Sequence, residues 1–404
     1  MDALIIGGGP AGSTAALLLA KAGWSVGLVE KSRFPRRKVC GEFLSATNLP
    51  LLRHLGVADS FRKWAGPEVR QVGLFSGNHV ITADMPRPRA VDGSGEGWGR
   101  ALGRDRLDTL LLERAAAAGV QVWQPWSATE LAAEGTGYLC KAVCRENSQS
   151  AELRARIVIA AHGSWEHGAL PTQSARPASR PSDLFGFKAR FLNSRLPVGL
   201  MPLLAFPGGY GGMVHSDRGS LSLSCCIRRD QLERARNAAG PVAAADAVLA
   251  HITKYCRAAR EALAGAVLEH RWLSAGPIRP GIRSCGSDGI FLVGNAAGEA
   301  HPAVAEGIGM AMQSAWLLCR RLTAQPAADL SGAALDAASH DYAAAWRKAL
   351  APRIHAAAFI AHWAMTPMAV SCALPLLRLF PVILKTGARF SGKATLVNET
   401  FHSS

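Results

Sequence analysis

No Cys-x-x-Cys pair occurs anywhere in these 404 residues. The nine cysteines are odd in number and scattered, and Cys140/Cys144 has no second half. That argues against a zinc site or a disulfide framework and for reduced thiols, with no metal expected. Charge is also scarce: 19% of residues are charged against 49% hydrophobic, which excludes a disordered chain and leaves ample material for a core. No apolar run reaches the ~20 residues that a spanning helix needs. The N-terminal apolar run is four residues long with no basic segment before it, so no signal peptide is read and a cytoplasmic location is expected. Internal repeats and low-complexity arrays are lacking as well. Acidic residues are the scarcer sign: 30 Asp and Glu stand against 45 Lys and Arg, a net charge of +15. The basic residues are dispersed, so nucleic acid is not an expected partner, whereas an anionic lipid surface or an anionic substrate suits the balance. The one dense cluster, Arg33, Arg36, Arg37 and Lys38, is placed to face a cofactor or its entrance.

What the chain does contain is concentrated at its start. An apolar run, Ala3–Ile6, enters Gly7-Gly8-Gly9-Pro10-Ala11-Gly12; an Ala/Leu-rich helix follows, then a second apolar run that ends on Glu30. Gly7 suits a tight turn, Gly9 the close approach of a pyrophosphate, and Gly12 close packing of helix on strands. The helix start offers unpaired N–H groups and a positive dipole end to phosphates. Glu30 lies 18 residues beyond Gly12 (30 − 12), placed to accept hydrogen bonds from an adenosine ribose.

Along the chain, Leu49–Leu55 and Asp59–Trp64 read as helical, and Val69–Phe75 with His79–Ala83 as a hairpin. Arg104–Ala118 is a strong helix whose Leu107, Leu110, Leu111 and Ala115 share one face. Residues 127–154 suggest a small antiparallel sheet, Arg156–Ala161 a buried strand, and 165–182 a Pro/Ser/Ala linker. Four antiparallel strands are expected between Phe185 and Ile227, then helices over Asp230–Asn237 and Val242–Leu263. Ile290–Val293 returns to a buried parallel-type strand before a helix over Gly307–Thr323. The predicted fold class is α/β with an α+β inserted domain. A Rossmann-like dinucleotide domain takes residues 1–70, 97–165 and 276–330; an antiparallel-sheet substrate domain takes 71–96 and 166–275; a C-terminal helical region takes 331–404.

Three further segments carry cofactor signals. The strand Gly289–Val293 ends in small residues, Gly294-Asn295-Ala296-Ala297-Gly298, and Glu306-Gly307-Ile308-Gly309-Met310 opens a second helix. Ligands bind at the carboxyl ends of parallel strands, and a helix start aimed at a reduced ring stabilises its negative charge. Arg104 stands at the head of the Leu-rich helix, a candidate for phosphate or ribityl oxygens. Lys38-Val39-Cys40-Gly41 forms a basic-to-glycine loop just beyond the ribose acid. Together these resemble the flavoprotein superfamily of p-hydroxybenzoate-hydroxylase-type aromatic hydroxylases and geranylgeranyl reductases, over roughly residues 1–325. The resemblance implies FAD, bound by Gly7, Gly9, Pro10, Ala11, Gly12, Glu30, Lys31, Lys38, Cys40, Gly41 and Arg104. It further implies Ala128, Gly163, Asn295, Ala296, Gly307, Ile308, Gly309 and Met310. Two departures stand out: Asn295 and His162 occupy positions where the family carries Asp. Asn295 keeps a side-chain oxygen acceptor for the ribityl chain; His162 departs from the family pattern for handling the reducing nicotinamide.

The resemblance implies an FAD-dependent oxidoreductase. The favoured expectation is a monooxygenase that hydroxylates an aromatic or electron-rich substrate through a flavin hydroperoxide, using NAD(P)H or another reductant and O2. A geranylgeranyl-reductase-like saturation of a prenyl or polyene chain is the alternative, with modification of a partner protein's side chain a third reading. Tryptophan halogenation is disfavoured by the lack of a Trp-x-Trp-x-Ile-Pro segment. Expected catalytic residues are His301, a proton relay near neutral pH, and Glu306; Lys188, Tyr210 and His215 are expected to line the substrate pocket. The segment His355–Lys393 is rich in apolar residues but broken by Pro367, Pro375 and Pro381. It is expected to form broken amphipathic helices that cap the cavity, or that meet a membrane surface with Arg378, Lys385, Arg389 and Lys393 nearby, or that hold a partner chain. An aromatic, lipid-like or peptide substrate is therefore expected.

Overall fold

The computed structural model describes residues 1–86, 97–165, 168–173 and 178–389. Its helices in chain order are α1 (Pro10–Lys21), α2 (Leu49–His54), α3 (Ala58–Trp64), α4 (Arg104–Ala117), α5 (Arg229–Ala239), α6 (Ala244–Tyr255), α7 (Arg257–Ala262), α8 (Gly307–Leu322), α9 (Gly332–Ala364), α10 (Pro367–Leu379) and α11 (Val382–Ala388).

The glycine-rich start folds into a six-stranded sheet ordered Gly286–Ser287, Ile290–Leu292, Ile157–Ala160, Ala3–Ile6, Val26–Val29, Gln121–Trp123. The last five pair in parallel; Gly286–Ser287 adds an antiparallel edge. Successive side chains of a strand face opposite sides, so an unbroken apolar run needs cover on both. Here Ala3 and Ile5 pack with residues of α1, α4 and α8, while Leu4 and Ile6 pack with Leu131, Cys140 and Leu153 of a three-stranded antiparallel sheet spanning residues 126–155. Gly12 makes the helix–strand contact possible. A Cβ there would lie 1.8 Å from the Gly7 carbonyl oxygen.

A second, eight-stranded sheet holds Leu184–Leu192, Leu200–Phe206, Gly209–His215 and Leu221–Arg228 at its centre, with the hairpin Gln71–Ser76/His79–Asp84 at one edge. It is not purely antiparallel: Leu200–Phe206 runs parallel to Gln71–Ser76. The strand Leu273–Ile278 still pairs with Leu184–Leu192, so the chain returns to the first domain a few residues later than the expected 275/276 boundary. The helix expected over Val242–Leu263 is two, α6 and α7. Cys256 breaks it in extended conformation, its buried thiol lying 3.4 Å from the carbonyl oxygens of both Phe75 and Ala205.

The C-terminal region is not a separate unit. Tyr342 and Trp346 of α9 are buried in the first domain's core, and the Tyr342 hydroxyl donates to Leu292 O at 2.7 Å. Further along, Ala361 and Ala364 of α9 with Val370, Leu374 and Leu377 of α10 cover the second sheet. Part of the expected tail, residues 390–393 with Lys393, lies outside the described residues.

A buried ionic cluster joins the two domains. Glu42, in left-handed backbone conformation at φ 64°, accepts from Lys188 and from Arg190, and Arg190 also reaches Asp217 at 2.7 Å. Asp217 in turn accepts from the Gly103 N–H at 2.9 Å, just before α4. Burial works to raise the Glu42 carboxyl, but Lys188 and Arg190 overcome it and hold it below the ordinary range. Two cations and two anions balance out of water, so removing one leaves a buried charge unpaired. Glu42→Gln is expected to cost about 3–5 kcal/mol, read as a lower urea midpoint for the flavin-loaded protein.

Candidate functional site

A cavity of about 960 Å³ runs along the carboxyl ends of the parallel strands, from the α1 start to the α8 start. Gly7, Gly9, Pro10 and Ala11 form one end. Gly7 adopts φ +110°, and a Cβ there would sit 2.6 Å from Ala161 O. A Cβ on Gly9, by contrast, would project into the cavity, where its nearest atoms are Arg104 Nη2 at 3.8 Å and Arg36 Nη2 at 4.0 Å. Two guanidinium groups thus face a bare helix N-terminus, the geometry of an anion cradle. Arg104 is held there by a bidentate pair with Asp108, at 2.7 and 2.8 Å, one turn along α4. Arg36 was legible as part of the basic cluster; Asp108 as its neighbour's anchor was not.

Glu30 accepts from the Gly8 N–H at 2.7 Å and the Ser32 N–H at 2.8 Å. A carboxylate has about four acceptor sites, so both oxygens retain capacity for ribose hydroxyls. Lys31, Lys38, Cys40, Gly41, Ala128 and Gly163 also line this cavity, as do Asn295, Gly307 and Ile308 at its other end. A Cβ at Gly307 would meet nothing within 4 Å. The cradle at Gly9, the acid at Glu30 and the open helix start at Gly307 fit FAD laid end to end.

Four residues expected to bind the cofactor do not line this cavity. Gly12 and Gly309 serve packing, the latter because a Cβ would lie 2.5 Å from Asn48 Nδ2. Ala296 and Met310 are buried in the core. Glu306 also turns away from the cavity. It accepts from Ser45 at 3.0 Å and lies near Arg353, because the α8 start aims its backbone at the cavity and its side chain into the protein. Lys188 is spent on Glu42, and His215 lies 2.9 Å, Nε2 to O, from the Leu196 carbonyl. None of these three lines either cavity.

His301 and Tyr210 are brought together. The Tyr210 hydroxyl and His301 Nδ1 are 3.2 Å apart, either able to donate according to the imidazole tautomer. Burial, with His362 5.5 Å away ring to ring, lowers the His301 imidazole to about 4. Burial raises the Tyr210 phenol well above its ordinary value.

Sequence reasoning passed over Glu299. It is buried against the cavity, accepting from Ser164 at 2.7 Å, Asn295 Nδ2 at 3.0 Å and Trp165 Nε1 at 3.3 Å. Burial raises this carboxyl, opposed by those hydrogen bonds and by Arg283. Asn295 is therefore matched to Glu299. An aspartate there would set a second carboxylate against Glu299, and the amide instead donates to it. The signal was present as an acid four residues past the missing one. The other departure, His162, is tied through Nε2 to Thr172 Oγ1 at 3.1 Å, at the cavity wall.

A second cavity of about 420 Å³ adjoins the first. Val39, Cys40, Gly41, Trp165, Pro302 and Ala305 border both. Its walls are apolar: Leu74, Met201, Leu203 and Met213 from the second sheet, and Trp363, Leu377 and Leu384 from the C-terminal helices. Tyr210 lines this cavity while His301 lines the larger one, so their contact bridges the two.

Residues 1–352 match the model of a family described as FAD binding domain. Curated relatives at 30–33% identity match over 30–46% of this chain, and the chain spans under half of their length, 28–44%. Digeranylgeranylglycerophospholipid reductase 2 of Methanopyrus kandleri is similar over more, at 26% identity across 81% of this chain and 77% of its own. Among solved structures, the flavin-dependent brominase Bmp2 is similar with a TM-score of 0.75 at 17% identity, over 98% of this chain and 94% of that one. PqsL, a probable FAD-dependent monooxygenase from Pseudomonas aeruginosa, gives 0.67 at 16%, over 97% and 99%. At such identities the structural likeness establishes the fold alone.

Proposed function

The chain belongs to the family described as FAD binding domain; from that premise we propose that it is an FAD-dependent oxidoreductase, a monooxygenase acting on an aromatic or otherwise electron-rich, largely apolar substrate. One observation carries this reading. The cofactor cavity and an apolar chamber share a collar of six residues, and the Tyr210–His301 contact spans them at that collar. FAD, when bound, supplies the two-electron redox chemistry and the reaction with oxygen. The chain's own residues supply the rest. The apolar walls take up the substrate's hydrocarbon and exclude water from the collar. Tyr210 meets a substrate hydroxyl from the chamber side, and the neutral imidazole of His301 relays its proton, accepting at Nδ1 and releasing from Nε2 into the cofactor cavity, which makes the ring more electron-rich.

A second reading, reduction of a prenyl or polyene chain, is favoured by the chamber's apolar walls, which suit a hydrocarbon without any ring. Oxygen separates the two. Flavin-loaded protein, reduced and kept anaerobic, is offered an alkyl-substituted phenol and a polyprenyl lipid, then the same with oxygen. The monooxygenase reading expects the phenol consumed only with oxygen. Equal anaerobic consumption of either compound would end it.

A further inference from the structure

The C-terminal helices carry more apolar surface than covering the chamber requires. Phe359 on α9, Met368 and Leu379 on α10 are about three-quarters exposed, at 75%, 79% and 74%. Phe380, between α10 and α11, and Val382, at the start of α11, are more than half exposed at 54% and 59%. Single exposed apolar residues need no explanation; a run of them over three consecutive elements does. Phe359, Leu376 and Ile383 belong both to this surface and to the chamber wall. The exposed face is therefore the outer side of the chamber's roof.

Its charge is one-sided. No acidic residue occurs between Asp341 and Glu399, whereas Arg378, Lys385 and Arg389 lie within or beside the apolar run and are exposed. Among the described residues no single helix is long and apolar enough to cross a membrane. α9 and α10 together are long and apolar enough by composition, but they meet at a 101° bend rather than forming one straight span.

We propose that this face docks on an anionic lipid bilayer, α10 and α11 seated at the headgroup level. Exposed Leu, Phe, Met and Val enter the acyl boundary while Lys385 and Arg389 meet the phosphates, beside Arg378, whose Nη2 lies 2.6 Å from His79 Nδ1. A protein partner would explain the apolar side chains equally well. The exclusion of acidic residues from 57 consecutive positions, 342–398, matches a uniformly anionic surface better than a partner's mixed one. The chamber roof would then face the bilayer, giving a hydrocarbon substrate a route that avoids water. That last step rests on the proposed apolar substrate; the docking itself does not.

The test uses the full flavin-loaded chain, sedimented with vesicles of pure phosphatidylcholine and with vesicles containing about one-third phosphatidylglycerol. Docking predicts sedimentation with the anionic vesicles, weakened by salt. A variant combining Met368→Ser, Leu379→Ser, Phe380→Ser and Val382→Thr touches no chamber-lining residue. It should keep its flavin absorbance and partition roughly tenfold or more weakly. Failure to sediment with anionic vesicles overturns the proposal, as does unchanged partition of the variant. A concentration-dependent dimer that the variant abolishes would overturn it too, assigning the face to a second copy. Turnover of a soluble substrate reports on the chemistry separately, so the two readings fail independently.

Discussion

Gly9→Ala is expected to yield a folded protein that has lost most of its affinity for FAD, whereas Gly12→Ala is expected to fail at folding. The two glycines stand three residues apart in one motif, yet the structure assigns them different physics. At Gly9 the added methyl enters open cavity, its nearest neighbours the far ends of two arginines at 3.8 and 4.0 Å. The apoprotein gives up nothing. The pyrophosphate does, because the methyl stands between it and the first N–H groups of α1. Losing one charge-assisted contact of ~1.5–3 kcal/mol lowers affinity roughly 10- to 100-fold. At Gly12 the methyl would lie 1.8 Å from Gly7 O and 3.1 Å from Ala161 Cβ. These are backbone and core atoms that cannot step aside, and helix and sheet must separate. Far-ultraviolet circular dichroism with FAD titration calorimetry distinguishes the cases. An unchanged affinity in Gly9→Ala would show that the pyrophosphate does not lie against this turn.

The cofactor end of the site was legible in sequence because it is built locally. Gly7, Gly9 and Glu30 lie within one strand–helix–strand unit, and each role follows from spacing along thirty residues. The substrate end was not, because its residues come from many segments scattered between residues 39 and 388. Lys188 sits on a strand with both faces buried, so period-two patterning gave no face to choose; its partner Glu42 is 146 positions away. His215 was misplaced for the same reason. Glu306 illustrates a different limit. A carboxylate before a helix reads as a possible acid, but only the packing of Ser45 and Arg353 around it reveals that it points inward. The apolar C-terminal segment announced itself by composition, and its part in roofing the chamber depended on α9 straddling both domains. Glu299 was the recoverable omission, since an acid four residues beyond Asn295 is visible in the sequence itself.

Tyr210→Phe is expected to cut turnover roughly 100-fold, the lower end of what a positioned proton-transfer group contributes, while FAD affinity and KM change little. The ring stays, its packing among Leu74, Ile81 and Ile278 stays, and only the hydroxyl facing His301 is lost. A merely structural tyrosine would instead show loosened FAD or a raised KM. The pH dependence tests its partner. With His301 at about 4, its imidazole is neutral from pH 8 down to about 5, so the wild-type rate should be flat there as far as this group decides it. The rate should fall as pH approaches 4, and His301→Gln should remove that limb. Stability must follow with a definite sign. The unfolded chain's histidine titrates near 6.5, so between 6.5 and 4 the unfolded state binds the extra proton and stability drops as pH falls. A change from 6.5 to about 4 is worth at most roughly 3 kcal/mol, complete only below the lower value. Urea midpoints at pH 7 and pH 4.5 should therefore diverge more in wild type than in His301→Gln. Equal divergence would mean that His301 is not held neutral by burial, and the proton route from chamber to cofactor would lose its acceptor.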